Sequence, residues 1–109
     1  MAISHASPGQ VIDVSPLGEH LVESKTIALF KSSDIEVIRL VLLAGKSFPP
    51  HKVSGEVTIH CIEGAMSVSA GGVDSSLRAG QLIYLEANVL HSVNALENTS
   101  ALVTIALVK

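Results

Sequence analysis

The chain has 109 residues, 48% of them hydrophobic and 16% charged, which is enough apolar content for one packed core and too little length for a second domain. A formal net charge of -3, with 7 Lys+Arg and 3% aromatic residues, argues against nucleic acid as a partner, because phosphate backbones need a concentrated positive surface and bases need aromatic platforms. Cys61 is the single cysteine, which excludes an internal disulfide framework, and no apolar run approaches the ~20 residues of a membrane span.

The first residues carry no basic stretch followed by an apolar one, so the expected location is cytoplasmic. Residues 1–9 are expected to be a flexible N-terminal segment, followed by a single β-barrel domain over residues 10–109. Residues 19–25 have room for one helical turn at most. Beyond them, turn chemistry recurs about every ten residues: Ser15-Pro16-Leu17-Gly18, Lys31-Ser32-Ser33-Asp34, Ala44-Gly45-Lys46, Gly71-Gly72, Ala79-Gly80 and Glu97-Asn98-Thr99-Ser100. The runs between are rich in β-branched residues and keep no helical period, which predicts an all-β sandwich or barrel.

Residues 26–30, 35–43, 57–62, 82–85 and 101–108 read as strands. Residues 35–43 and 101–108 lack the apolar alternation of a half-exposed strand, so both of their faces should be covered. One face would line the barrel. The other would meet either a second copy of the chain, giving a homodimer, or the N-terminal segment folded back. Residues 66–70 and 73–77 flank Gly71-Gly72, whose tolerance of positive φ suits a tight primed turn, with Met66, Val68 and Ala70 on one face and serines on the other.

The densest chemistry lies in two stretches. Gly45, His51, Val53, Val57 and Gly64 form the first; Gly80, Glu86, Asn88, His91 and Asn94 form the second. Their spacing resembles the two motifs of the cupin superfamily, small barrels whose motifs deliver metal ligands to the interior. The resemblance covers residues 45–94 and implies a double-stranded β-helix, or jelly roll. It also implies that His51 and His91 approach each other inside the barrel, where two further ligands would stand at positions 53 and 57. Here both are valine, which cannot donate to a metal. Glu86 replaces a proline and Asn88 a glycine, the milder change because Asn tolerates a left-handed backbone.

Two imidazoles alone make a poor metal site, since structural zinc takes four protein ligands and catalytic zinc three plus water. Cys61 shares the strand parity of Val57 and Ile59 and is a candidate third ligand, with a small buried hydrophobe as its ordinary role. Glu56 has the opposite parity and should face outward unless a bulge re-aims it. His60 shares that outer face, while His5 and His20 carry no signal. Pro49-Pro50 should fix an extended backbone that delivers His51 in a defined direction.

The expected site is therefore a largely apolar pocket made by His51, Val53, Val57, Cys61 and His91, holding a small organic ligand. No cofactor is required; His51 and His91 would hold at most a weakly bound divalent metal such as zinc, iron, nickel or manganese. The alternative is a metal-dependent oxygenase or isomerase using His51 and His91 with Cys61, Glu56 or the substrate as a further ligand. A purely structural module would instead pack its barrel shut.

Overall fold

The computed structural model describes residues 5–108, and among these the chain is built from strands that pair antiparallel throughout. In chain order they are β1 (Ile27–Lys31), β2 (Ile35–Leu42), β3 (Ser47–His51), β4 (Val57–Glu63), β5 (Ala65–Ala70), β6 (Val73–Arg78), β7 (Leu82–Leu85), β8 (His91–Ala95) and β9 (Thr99–Ala106). One sheet has the order β1-β2-β9-β4-β7 and the other β3-β8-β5-β6. After β2 the chain passes between the sheets at every connection except the β5–β6 hairpin, which is the jelly-roll arrangement that the resemblance implies.

Side-chain alternation places the core between the sheets. On β4, Val57, Ile59 and Cys61 are buried and pack with Leu40, Met66, Val68, Leu77, Leu85, Val93 and Ala101, while Thr58 and His60 take the outer face. The step from β4 to β5 occurs at Gly64, whose φ of 81° and close neighbours leave no room for a side chain: a Cβ would lie 2.2 Å from the Asn98 carbonyl oxygen. Gly71 and Gly72 both have positive φ, 58° and 82°, between Ala70 and Val73, as a primed two-residue turn requires.

Residues 18–23 form a 3-10 helix, Gly18–Glu23, which buries Leu21. Part of the expected loose segment falls on residues 1–4, outside the described residues. Ala6 lies beside β1, its amide donating to the Leu29 carbonyl at 2.9 Å. Among the described residues no helix is long and apolar enough to cross a membrane.

The double coverage of β2 and β9 has a specific origin. Ile38 and Leu40 of β2 face the interior, while Arg39 points outward yet is only 5% exposed, because the N-terminal segment crosses over it. Its Nη2 donates to the Ser15 carbonyl at 2.9 Å and the Ser100 hydroxyl at 3.0 Å, and lies 3.4 Å from the Glu63 carboxylate. Glu63 in turn accepts the Leu17 and Gly18 amides at 2.8 and 3.0 Å and the Ser100 hydroxyl. One carboxylate thus pins the segment entering the 3-10 helix to the outer face of the sheet. Partial burial by itself would raise the pKa of Glu63, but the Ser100, Leu17 and Gly18 hydrogen bonds and the Arg39 charge outweigh it and hold the carboxyl below the usual range.

Candidate functional site

His51 closes β3 and His91 opens β8, and the two are register partners. Phe48 pairs with Val93 three residues before His51 pairs with His91, so β3 spends three residues where β8 spends two. In an unbroken strand Phe48 and His51 would face opposite ways. The extra residue is a β-bulge at Pro49-Pro50, and it restores His51 to the inner face beside Phe48. Proline suits the place because it has no N–H to contribute to a ladder and β3 is an edge strand.

The two imidazole rings meet edge to face, with centroids 4.3 Å apart and planes inclined at 61°. Each ring holds a backbone carbonyl two residues earlier: His51 Nδ1 lies 3.2 Å from the Pro49 oxygen and His91 Nδ1 3.1 Å from the Val89 oxygen. A carbonyl oxygen only accepts, so Nδ1 is the donor in both rings. In a neutral imidazole this makes Nε2 the acceptor.

Both rings border a cavity of about 280 Å³ between the sheets. Its floor is buried Leu40, Ile59 and Val93, its walls include Ile38, Val103 and Ile105, and exposed Thr26, Phe48, Pro49 and His51 lie at the mouth. His91, only 5% exposed, is the deeper imidazole. Thr26 is the remaining lining residue with a polar side chain, and its hydroxyl is engaged with β2, donating to the Val41 carbonyl at 3.2 Å and accepting the Val41 amide at 2.9 Å.

Of the five residues expected to make the pocket, the structure brings His51 and His91 to the cavity and keeps Val53, Val57 and Cys61 off its lining. Val57 and Cys61 do face inward, as their parity predicts, but they pack within the core cluster, against which Val53 also lies. Cys61 has no exposed surface, and its Sγ sits 3.5 and 3.8 Å from the carbonyl oxygens of Glu63 and Gly64. Burial pushes its thiol pKa up, which disfavours the thiolate a metal would need. Glu56 is exposed, and its carboxylate accepts the hydroxyl of Tyr84; that hydrogen bond raises the pKa of the phenol. Neither residue extends the histidine pair, and among the described residues no three His, Cys, Asp or Glu side chains come together as a metal-binding group.

Thr26, Phe48, Val93, Val103 and Ile105 line the cavity without having been predicted to. Apart from Thr26, just before β1, they come from strands on both sheets, and no local motif announces such a meeting. Asn88 adopts φ 62°, and its amide donates to the Val53 carbonyl at 2.8 Å, so Asn fills the left-handed position that the resemblance assigns to glycine. A larger hollow of about 600 Å³ opens on the outer face beside Leu17, Ile27 and Val41, but its Arg39 is already engaged by Glu63, Ser15 and Ser100.

The family described as the cupin domain matches residues 38–108. This chain belongs to the cupin family. No curated protein matches it. Among solved structures, it is similar over 100% of its length to 99% of the conserved SPY1581 protein of unknown function from Streptococcus pyogenes, at 17% identity and TM-score 0.75. The match to KdgF from Halomonas sp. covers 77% of this cupin and 78% of that chain, at 16% identity and TM-score 0.71. Salicylate 1,2-dioxygenase from Pseudoaminobacter salicylatoxidans matches 73% of this cupin with 24% of its own chain, at 17% identity and TM-score 0.68. At these identities the likeness is one of fold, which serves many chemistries.

Proposed function

We propose that this cupin binds a small organic molecule in the cavity between its sheets, with His51 and His91 as the polar end of the site and metal absent or weakly held. One observation carries the reading: a mostly aliphatic cavity of about 280 Å³ lies against a contacting pair of imidazoles. A purely structural module would fill that space with side chains. The test is a titration of 15N-labelled protein with a set of uncharged single-ring compounds, followed through the amide resonances. Shifts at Ile59, Val93 and Val103 that vanish in an Ile59→Trp variant with an otherwise native spectrum are the expected result. Compounds that leave those resonances unmoved would contradict the reading.

A second reading, a metal-dependent oxygenase or isomerase, draws on the same two rings. Carbonyl acceptors at Nδ1 orient both imidazoles in the way that supporting hydrogen bonds orient metal-ligating histidines. Metal analysis of untagged protein separates the two. Near-stoichiometric metal lost in the His51→Ala/His91→Ala double variant would favour the enzyme; sub-stoichiometric metal unchanged by those substitutions favours the binding protein.

We also propose that the protein is a cytoplasmic homodimer. The outer face of the five-stranded sheet supports the dimer: the N-terminal segment covers it at Arg39, whereas Leu82 and Tyr84 on β7 remain 59% and 55% exposed.

A further inference from the structure

We infer that the cavity selects an uncharged molecule of about one ring that carries a hydroxyl group, a phenol or a cyclic alcohol, and that it disfavours carboxylates and phosphates. The inference rests on the reading of the cavity as the binding site and adds the class of its occupant.

The polar groups of the lining decide the class. Thr26 already donates to and accepts from Val41. Each imidazole donates through Nδ1 to a backbone carbonyl, so the nitrogen left to meet an occupant is Nε2, an acceptor in the neutral ring. An occupant must therefore bring the proton, and a hydroxyl does so. A ketone, ether or ester offers only lone pairs and would face acceptor with acceptor.

Charge is decided by what the lining lacks. No Lys, Arg, Asp or Glu is among the residues around the cavity, whose remaining members are Ile, Leu, Val, Phe and Pro. With both imidazoles neutral, an anion would lose water there with no cation to replace it, a cost that ordinarily keeps unpaired charge out of apolar sites. Size follows from volume: an apolar cavity of roughly 150 Å³ accepts benzene, so about 280 Å³ accommodates a ring with one or two small substituents. The hydroxyl would reach the histidine end while the ring packs on Leu40, Ile59 and Val93.

Three compounds of matched shape test this on the full-length protein: p-cresol, p-xylene and 4-methylbenzoate, titrated by NMR into wild type and into His91→Phe and His51→Phe variants. Each variant keeps an aromatic ring and removes its acceptor nitrogen. The expected result is p-cresol binding on the order of ten-fold more tightly than p-xylene, the effect of one well-made hydrogen bond, with 4-methylbenzoate weakest. The p-cresol advantage should fall in at least one of the two variants. Equal binding of p-cresol and p-xylene, or tightest binding of 4-methylbenzoate, overturns the inference while leaving the cavity as the site. Failure of all three compounds to move Ile59, Val93 and Val103 in wild type overturns both. The wild-type comparison of the three compounds stands even if a variant fails to fold.

Discussion

The histidine pair owes its chemistry to hydrogen bonds that each ring makes with the backbone two residues earlier. Pro49 and Val89 supply carbonyls that fix which ring nitrogen donates, and with it what an occupant must offer. His51 and His91 were legible in sequence because each sits at a fixed distance from a glycine. Cys61 was legible only in part: parity gives its face, but the carbonyls of Glu63 and Gly64 that hold its sulfur belong to a turn whose path the sequence does not reveal.

Gly64 and Gly45 share nearly the same φ, 81° and 82°, yet a Cβ at Gly64 meets the Asn98 carbonyl and Thr99 hydroxyl while one at Gly45 meets nothing within 4 Å. Gly45→Ala should cost only the left-handed backbone penalty, about 1–2 kcal/mol. Gly64→Ala should cost clearly more in urea unfolding. Equal losses would contradict the close approach at Gly64.

Glu63 gives the pH dependence its sign. Its folded carboxyl titrates below the ordinary glutamate value of about 4.3, so on acidification the unfolded chain takes up the proton first. The stabilisation is complete above the ordinary value and is lost as pH falls through the lowered one. Replacing Glu63 with Ala leaves Arg39 buried without its carboxylate and should destabilise by roughly 3 kcal/mol at neutral pH, with a smaller deficit in acid. Denaturant midpoints of wild type and variant from pH 7 downward would check this; a constant difference would count against it.

Among the elements, β3 matters most for the site and was the least visible in sequence. Phe48, Pro49, Pro50 and His51 show neither alternation nor a β-branched run, and all five residues of β3 are exposed. Two prolines argue against a strand unless it lies at an edge with a bulge, which is what the fold provides. The strands with β-branched runs, β2, β4, β7 and β9, were readable because packing rewards residues of that shape. Deleting Pro50 should remove the extra residue, leave His51 two positions after Phe48 and so keep it on the inner face in a regular ladder, without unfolding this exposed edge. The NOE contacts between the His51 and His91 rings should then persist while the amide spectrum of β4 and β9 stays native. Loss of those contacts would show that the direction of His51 is not set by one extra residue in β3.

At the scale of the molecule, the sequence predicted a jelly roll with β2 and β9 covered on both faces but left open what does the covering. The answer at Arg39 is the chain's own N-terminal segment, held by the Glu63 carboxylate. Near β7 the outer face is open, and there the proposed dimer has its place. Sedimentation velocity should give a species of twice the 11.4 kDa chain mass, and Leu82→Glu should shift it to monomer. A monomer in the wild type would remove that proposal. The cavity is likewise a property of the whole barrel, since its lining comes from both sheets and the strands' individual patterns do not show that they leave space between them.

The most direct test of the account is the state of the two imidazoles with and without an occupant, read from long-range 1H–15N correlation spectra of the histidine side chains during a p-cresol titration. At a pH where the rings are neutral, His51 and His91 should both show a protonated Nδ1 and an unprotonated Nε2. Added p-cresol should move the Nε2 resonance of at least one ring in step with the amides of Ile59 and Val93. Nε2-protonated rings, or Nε2 resonances that stay fixed while p-cresol saturates the protein, would contradict the assignment of this histidine pair as the receiving end of a ligand site.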